Sequence, residues 1–208
     1  MTPQGLFWLK EQPLVLASGS AARRALLEAV GIPLDILKAP IDEASIAATL
    51  LEQRDAPKAI ALALAQAKAE AAAQKMPGRI ILAADQTLDH NGALFMKPGD
   101  RDHVRRQLMR LRGETHQLHS AAVLREGSTV LWAGVTSASL RMRNFTETFL
   151  DAYLDAMGDT ACETVGGYQL EALGLHLFET IEGDHATILG LPLLPLMHGL
   201  RDLRCLAR

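Results

Sequence analysis

A set of charged side chains and one hydroxyl turn carry the chemistry this sequence can offer. Arg23, Lys68 and Lys97 are cations, Glu43 and Asp85 are acids, and Ser18-Gly19-Ser20 brings hydroxyls and free backbone N–H groups. Cations hold phosphate oxygens, while carboxylates hold a divalent metal or orient an attacking water. The inventory suits a polyphosphate bound together with a metal ion.

The first of these groups has the most telling surroundings. Leu14-Val15-Leu16-Ala17 is an apolar run suited to a buried strand. It stops at Ser18-Gly19-Ser20 and becomes a helical pattern that opens with Arg23-Arg24. A helix N-terminus behind a strand attracts anions, because its unpaired amides and its dipole both favour negative charge. No G-x-x-x-x-G-K-[ST] occurs, and no G-x-G-x-x-G follows a strand, so this is not a Walker or dinucleotide loop. A capped helix with surface arginines has the same pattern.

The other groups each have two readings. Asp85 directly follows Ile80-Ile81-Leu82-Ala83-Ala84, which puts a carboxylate at the mouth of a buried strand. There it would bind metal or orient water, or else end the strand through turn hydrogen bonds. Asp42-Glu43 is an acidic pair suited to Mg²⁺ shared with phosphates, or to the dipole of a following helix. Lys68 stands alone in an alanine-rich helix, where it either faces a cleft or keeps the helix soluble. Lys97-Pro98 places a cation where a hairpin strand stops pairing.

The elements that must position these residues alternate along the chain. A strand at 14–18 is followed by a helix from about Ala21 to Val30, closed by Gly31, and a short strand at Leu34–Leu37. Ala56 to Met76 reads as the clearest helix, with Pro57 at its start and Pro77-Gly78 at its end. Arg79–Ala84 is a strand, and Asn91-Gly92 turns the chain back through Leu94-Phe95-Met96. A helix from Asp100 to Leu111, long strands at 115–125 and 129–142, and a helix from Thr146 to Met157 follow. Gly166-Gly167, Gly174, Gly183 and Gly190 punctuate short strands, and Leu193–Leu203 is the last helix. The pattern predicts an α/β fold with a mixed sheet flanked by helices, an N-terminal arm over residues 1–12 and a single domain over 13–208.

Bulk composition excludes several classes. The 208 residues are 49% hydrophobic and 22% charged, as in a folded globular chain. A net charge of −3 argues against general nucleic-acid binding. Cys162 and Cys205 stand far apart, which suits neither a disulfide scaffold nor a zinc site. No apolar run approaches the ~18 residues of a membrane span, and no signal pattern opens the chain, so a cytoplasmic protein without a membrane partner is expected. His116 and His119, three apart on a strand, face opposite sides and make no zinc pair. Trp8 and Trp132 are assigned to packing.

The motifs LASGSAARRALLEAVGI, IDEA, AQAKAEA, AADQT, KPGD, LRGETHQL, VGGYQLEALG and IEGDHATILGLPL occur in this order along the chain. The sequence from about Leu14 to Leu203 thereby resembles the Maf family of nucleoside triphosphate pyrophosphatases. The resemblance implies an elongated α/β fold with a deep central cleft, akin to the inosine-triphosphate pyrophosphatases. It implies a hydrolase acting on phosphoric anhydrides, releasing pyrophosphate and a nucleoside monophosphate with Mg²⁺ or Mn²⁺, and a homodimer. Matched position by position, Asp85 would accept the proton of the attacking water, and Glu43 and Asp85 would hold the metal. Ser18, Ser20, Arg23, Lys68 and Lys97 would bind the phosphates.

Ala22, Gln86 and Glu171 fall at the family's specificity positions. Gln86 and Glu171 match its 7-methyl-GTP subgroup, and Ala22 departs from both that subgroup's tryptophan and the arginine of the dTTP/UTP subgroup. A nucleotide-binding regulator of cell division without turnover is the alternative the resemblance leaves.

Overall fold

Alternating strand and helix signals fold into a mixed sheet with helices on both faces. The computed structural model describes residues 5–207. In chain order these form β1 (Leu14–Leu16), α1 (Ala21–Ala29), β2 (Leu34–Ile36), α2 (Glu43–Glu52), α3 (Pro57–Lys75), β3 (Ile80–His90) and β4 (Ala93–Phe95). Next come α4 (Arg101–Leu111), β5 (Thr115–Glu126), β6 (Thr129–Met142), α5 (Glu147–Met157), β7 (Phe178–Glu182), α6 (His185–Ile188) and α7 (Leu193–Asp202). Among the described residues the sheet has seven strands in the order β2-β1-β3-β5-β6-β7, with β4 also on β3. The β2–β1–β3 part is parallel and the remainder antiparallel.

Period-two alternation along β3 sorts its side chains onto the two faces. Ile81 and Ala83 pack with Ala61, Ala65, Ala69 and Ala72 of α3. Leu82 and Ala84 pack on the other face with Leu27 of α1 and Leu196 and Leu200 of α7. Alanines on the inner stripe of α3 let that helix lie close to the sheet. Further along, Leu88 joins a third cluster with Val104, Leu108, Leu118, Leu140 and Tyr168.

Three expectations are corrected. Asp85 does not end its strand: β3 runs on to His90, because β5 pairs with it from Ile80↔Glu126 to Asp89↔Gln117. The end of the apolar run marks a change in surroundings, not the end of backbone pairing. The glycine-punctuated segment holds one strand, β7, where several were expected; turns and short 3₁₀ helices fill the rest. A Cβ on Gly167 would come within 2.5 Å of Val104, so this turn packs its backbone directly on α4. Finally, a helix absent from the expected element order, α2, opens on the acidic pair: Glu43 is its first residue, and Asp42 accepts the Ser45 N–H as its cap at 3.0 Å.

The described part of the arm pairs with the far end of the chain. Trp8 bridges Leu206, and the Leu9 N–H donates to the Cys205 carbonyl at 2.9 Å. Residues 1–4 of the expected arm lie outside the described residues. Trp8 and Trp132 both pack against the cluster under α7. Among the described residues no helix is long and apolar enough to cross a membrane.

The two histidines of β5 do diverge. His116 Nε2 meets the Tyr168 hydroxyl at 2.7 Å, while His119 Nδ1 meets Ser137 Oγ at 2.8 Å. Burial pulls the His116 imidazole down to about 4. The unfolded chain, titrating near 6.5, binds a proton that the fold refuses, so stability falls as pH drops from about 6.5 towards 4. Urea unfolding at roughly pH 7 and pH 5 is expected to show that loss in the parent protein and a smaller one in His116→Leu.

Candidate functional site

Between β1 and β4 one edge of β3 has no strand partner. β1 covers Ile81 and Leu82 on that edge, and β4 covers Leu88 to His90. The intervening stretch, Ala83 to Thr87, is paired only on its β5 side. Backbone groups on such an edge need other partners. Arg23 supplies one, donating through Nη1 to the Ala84 carbonyl at 2.8 Å. The notch forms because the chain crosses from the parallel to the antiparallel half of the sheet here, a type of position at which open α/β sheets take ligands.

On the α3 face of the notch, Asp85 meets Lys68. The Lys68 ammonium donates to Asp85 Oδ1 at 2.5 Å and lies 3.0 Å from Glu43 Oε1. Lys68 and Asp85 are 8% and 6% exposed, whereas the Glu43 side chain is half-exposed at the start of α2. Lys68 is buried because it shares the inner stripe of α3, four residues before Ala72 and three after Ala65. Burial pushes the Asp85 carboxyl above its ordinary range, against the pull of the Lys68 and Arg23 charges. Asp85 Oδ2 makes no hydrogen bond among the described residues.

On the other face, Arg23 is held on several sides. Its Nε donates to the Gly190 carbonyl at 2.8 Å, and its Nη1 donates to Ser18 Oγ at 3.1 Å as well as to Ala84. Burial lowers the guanidinium's pKa, while Asp85 and Glu43 favour its charge; arginine stays protonated in either case. Ser20 caps α1, its Oγ accepting the Arg23 N–H at 3.3 Å, and Ser18 Oγ accepts the Ser20 N–H at 3.3 Å. The hydroxyl turn therefore shapes the helix entry and orients the arginine.

The structure thus brings Ser18, Ser20, Arg23, Glu43, Lys68 and Asp85 together around one notch. Lys97 is exposed beyond β4; the Leu88↔Phe95 register turns the chain back along β3 in its direction. Glu171 is exposed in the turn before the second 3₁₀ helix. Neither makes an ion pair with the cluster among the described residues. Ala22 is half-buried beside Arg23 in the first turn of α1.

Gln86 lies on the face opposite Asp85. Its Nε2 donates within 3.1 Å to Ser120 Oγ, Thr187 O and Ile188 O. Its amide nitrogen is thereby spent on protein acceptors. Sequence reading missed Gly190 as a site residue. Its backbone has φ +98°, which favours glycine, and an added Cβ would crowd the Arg23 guanidinium at 3.2 Å. The GLP triplet at 190–192 was the available signal, but it reads as ordinary punctuation.

The family model described as "Maf-like protein" matches residues 13–203. The chain belongs to the Maf family. A nucleoside triphosphate pyrophosphatase from Rhodopseudomonas palustris (strain BisB18) is 49% identical over 201 residues, 96% of this chain and 98% of the relative. A 7-methyl-GTP pyrophosphatase from Brucella abortus biovar 1 is 44% identical over 193 residues, 93% of this chain and 97% of its own. A nucleoside triphosphate pyrophosphatase from Bradyrhizobium diazoefficiens is 44% identical over 200 residues, 96% of this chain and 98% of its own.

Removing the cation from the buried pair leaves Asp85 uncompensated. Lys68→Met is expected to destabilise the fold by about 3–5 kcal/mol at neutral pH in urea unfolding. The deficit shrinks as the pH falls, because protonating Asp85 removes the orphaned charge.

Proposed function

We propose that this Maf protein is a nucleoside triphosphate pyrophosphatase, and that the notch beside Asp85 is where it works. The observation that carries the reading is the convergence of Asp85, Lys68, Glu43 and Arg23 on an unpaired edge of β3. The relatives' printed names supply the reaction class. In the proposed reaction a water oxygen attacks the α-phosphorus in line. The bond from that phosphorus to the α–β bridging oxygen breaks, and pyrophosphate leaves with the bond's electron pair.

Asp85 orients the water and accepts its proton. Its raised pKa makes it a stronger base than an exposed carboxylate, and Oδ2 is the oxygen not engaged by Lys68. Lys68 has two tasks: it holds Asp85 and Glu43 together, and its charge favours phosphate oxygens. Arg23 faces the departing pyrophosphate with its remaining N–H groups, helped by Lys97 and by the Ser18–Ser20 turn.

Glu43 and Asp85 fit a divalent ion that takes its other ligands from phosphates and water, the habit of Mg²⁺. Among the described residues no group of three or more His, Cys, Asp or Glu side chains is placed to hold a metal ion. When bound, Mg²⁺ or Mn²⁺ would neutralise charge developing on the phosphates.

Modified purine triphosphates, 7-methyl-GTP among them, are the substrates we propose. The Glu171 carboxylate suits the N–H groups on a guanine edge. Ala22 offers no aromatic face for a methylated base, so any such preference would rest on Glu171 and the shape of the site. We place the enzyme in the cytoplasm and, as the family resemblance implies, as a homodimer; its net charge of −3 suits free nucleotides as substrates and not nucleic acid as a partner. A non-catalytic regulator is not favoured, because the acid and the cations of the notch are all present.

Asp85→Asn is expected to lower turnover by ~10²-fold or more, the scale for losing a general base. Pyrophosphate release measures it, and near-normal turnover would remove Asp85 from its role. With the parent protein, a panel of standard, deaminated and 7-methylated triphosphates with Mg²⁺ or Mn²⁺ should show the highest kcat/KM on a modified purine. A pyrimidine preference would overturn the substrate assignment alone.

A further inference from the structure

We infer that Thr187 is a positioning residue for Arg23, acting through a chain of hydrogen bonds that ends on the guanidinium. The inference rests on the reading that Arg23 grips nucleotide phosphates. Thr187 is fully buried at the end of α6, in a four-residue helix that packs against β5 and β6 and could not hold a position alone. Its hydroxyl bonds Thr136 Oγ1 of β6 at 2.6 Å and donates to Asp184 Oδ2. Its N–H donates to Asp184 Oδ1 at 2.8 Å. The short helix is thereby capped at its start by Asp184 and tied to β6 through Thr187.

The Thr187 carbonyl passes that position on. It accepts from Gln86 Nε2 at 3.1 Å and from Ser120 Oγ at 2.7 Å, and also from the Gly190 N–H at 3.1 Å. Gly190 in turn accepts from Arg23 Nε at 2.8 Å. From β6, the route runs Thr136, Thr187, Gly190, Arg23. With Nη1 held by Ser18 and the Ala84 carbonyl, the Nε bond to Gly190 completes the fixing of the guanidinium plane, so its free N–H groups point in one direction. A phosphate site needs such preset donors, since small displacements of a positioned group cost rate heavily. Gln86, expected at a base-reading position, is in this arrangement a latch on the same carbonyl.

A structural role alone would lower stability and leave Arg23 unaffected, so the test reads Arg23 itself. Thr187→Val removes the hydroxyl, Thr187→Ser restores it, and Thr136→Val breaks the anchor from the sheet side should the first variant fail to fold. kcat/KM for pyrophosphate release is expected to fall about fivefold or more in Thr187→Val and Thr136→Val, the scale of one lost hydrogen bond. It should return to within about twofold of the parent in Thr187→Ser. In an Arg23→Ala background the same Val substitutions should change kcat/KM by less than about twofold, because sites acting through one another are not additive.

A second readout does not depend on turnover. The Arg23 Nε–H resonance, assigned by its loss in Arg23→Lys, should be slow to exchange with solvent in the parent and in Thr187→Ser. It should exchange faster in both Val variants. Unchanged Nε–H exchange in the Val variants overturns the inference, as does an equal loss of kcat/KM with and without Arg23. If the parent protein releases no pyrophosphate, the reaction assigned above falls, and the Nε–H exchange alone decides whether Thr187 positions Arg23.

Discussion

The ammonium of Lys68, buried between Asp85 and Glu43, is the interaction on which the site depends. A carboxylate in the middle of a buried strand is costly to leave alone, and a lysine on the inner stripe of a helix is equally costly. Each removes the other's penalty at 2.5 Å, and Glu43 joins from the start of α2 at 3.0 Å. The pairing joins a helix, a strand and a second helix's first turn around a single point. Such a pair is weak evidence for stability, since an apolar replacement of both partners could serve the fold as well. Its place beside an unpaired edge of β3 fits chemistry better than packing.

The notch follows from how the sheet is wired. β1 and β4 both pair with the same edge of β3, one parallel and one antiparallel, and they cannot meet. The gap leaves backbone groups of β3 in need of partners, and Arg23 answers at Ala84. Consecutive residues Asp85 and Gln86 then face opposite sides of the sheet, as period two demands. Asp85 joins the acid–base face under α3, while Gln86 joins the polar knot under α6. The edge between them is where Arg23, fixed on the α6 side, comes close enough to Asp85 and Glu43 to feel their charge.

Much of the fold was legible because its signals are local. The Ala-rich run for α3, the Asn-Gly turn after β3, the helix starts near Ala21, Asp100 and Thr146 and the two long strands all lie where the local pattern puts them. The misses share a cause. The continuation of β3 beyond Asp85 depends on β5, a partner some 30 residues on, and polar residues within a paired strand look like its end. Glycines of the 166–190 segment serve close backbone approaches, Gly167 to Val104 of α4, Gly183 to Ala138 of β6 and Gly190 to Arg23, which no local pattern distinguishes from loops between strands.

By itself the sequence determined the chemical inventory and most of the element order: which cations and acids are present, the strand–turn–helix around Ser18 to Arg23, the helix that carries Lys68, and the family to which the motifs point. Those properties reside in residue type and short-range periodicity, which survive without the rest of the chain. Only the tertiary structure decided that Lys68 faces inward, that Ser18 and Ser20 spend hydroxyl lone pairs on the turn, and that Gln86 latches a buried carbonyl. It also brought Gly190 and Thr187 to Arg23 across more than 160 residues. Such contacts depend on how distant elements satisfy each other's buried polar groups, and that balance exists only once the chain has closed on itself.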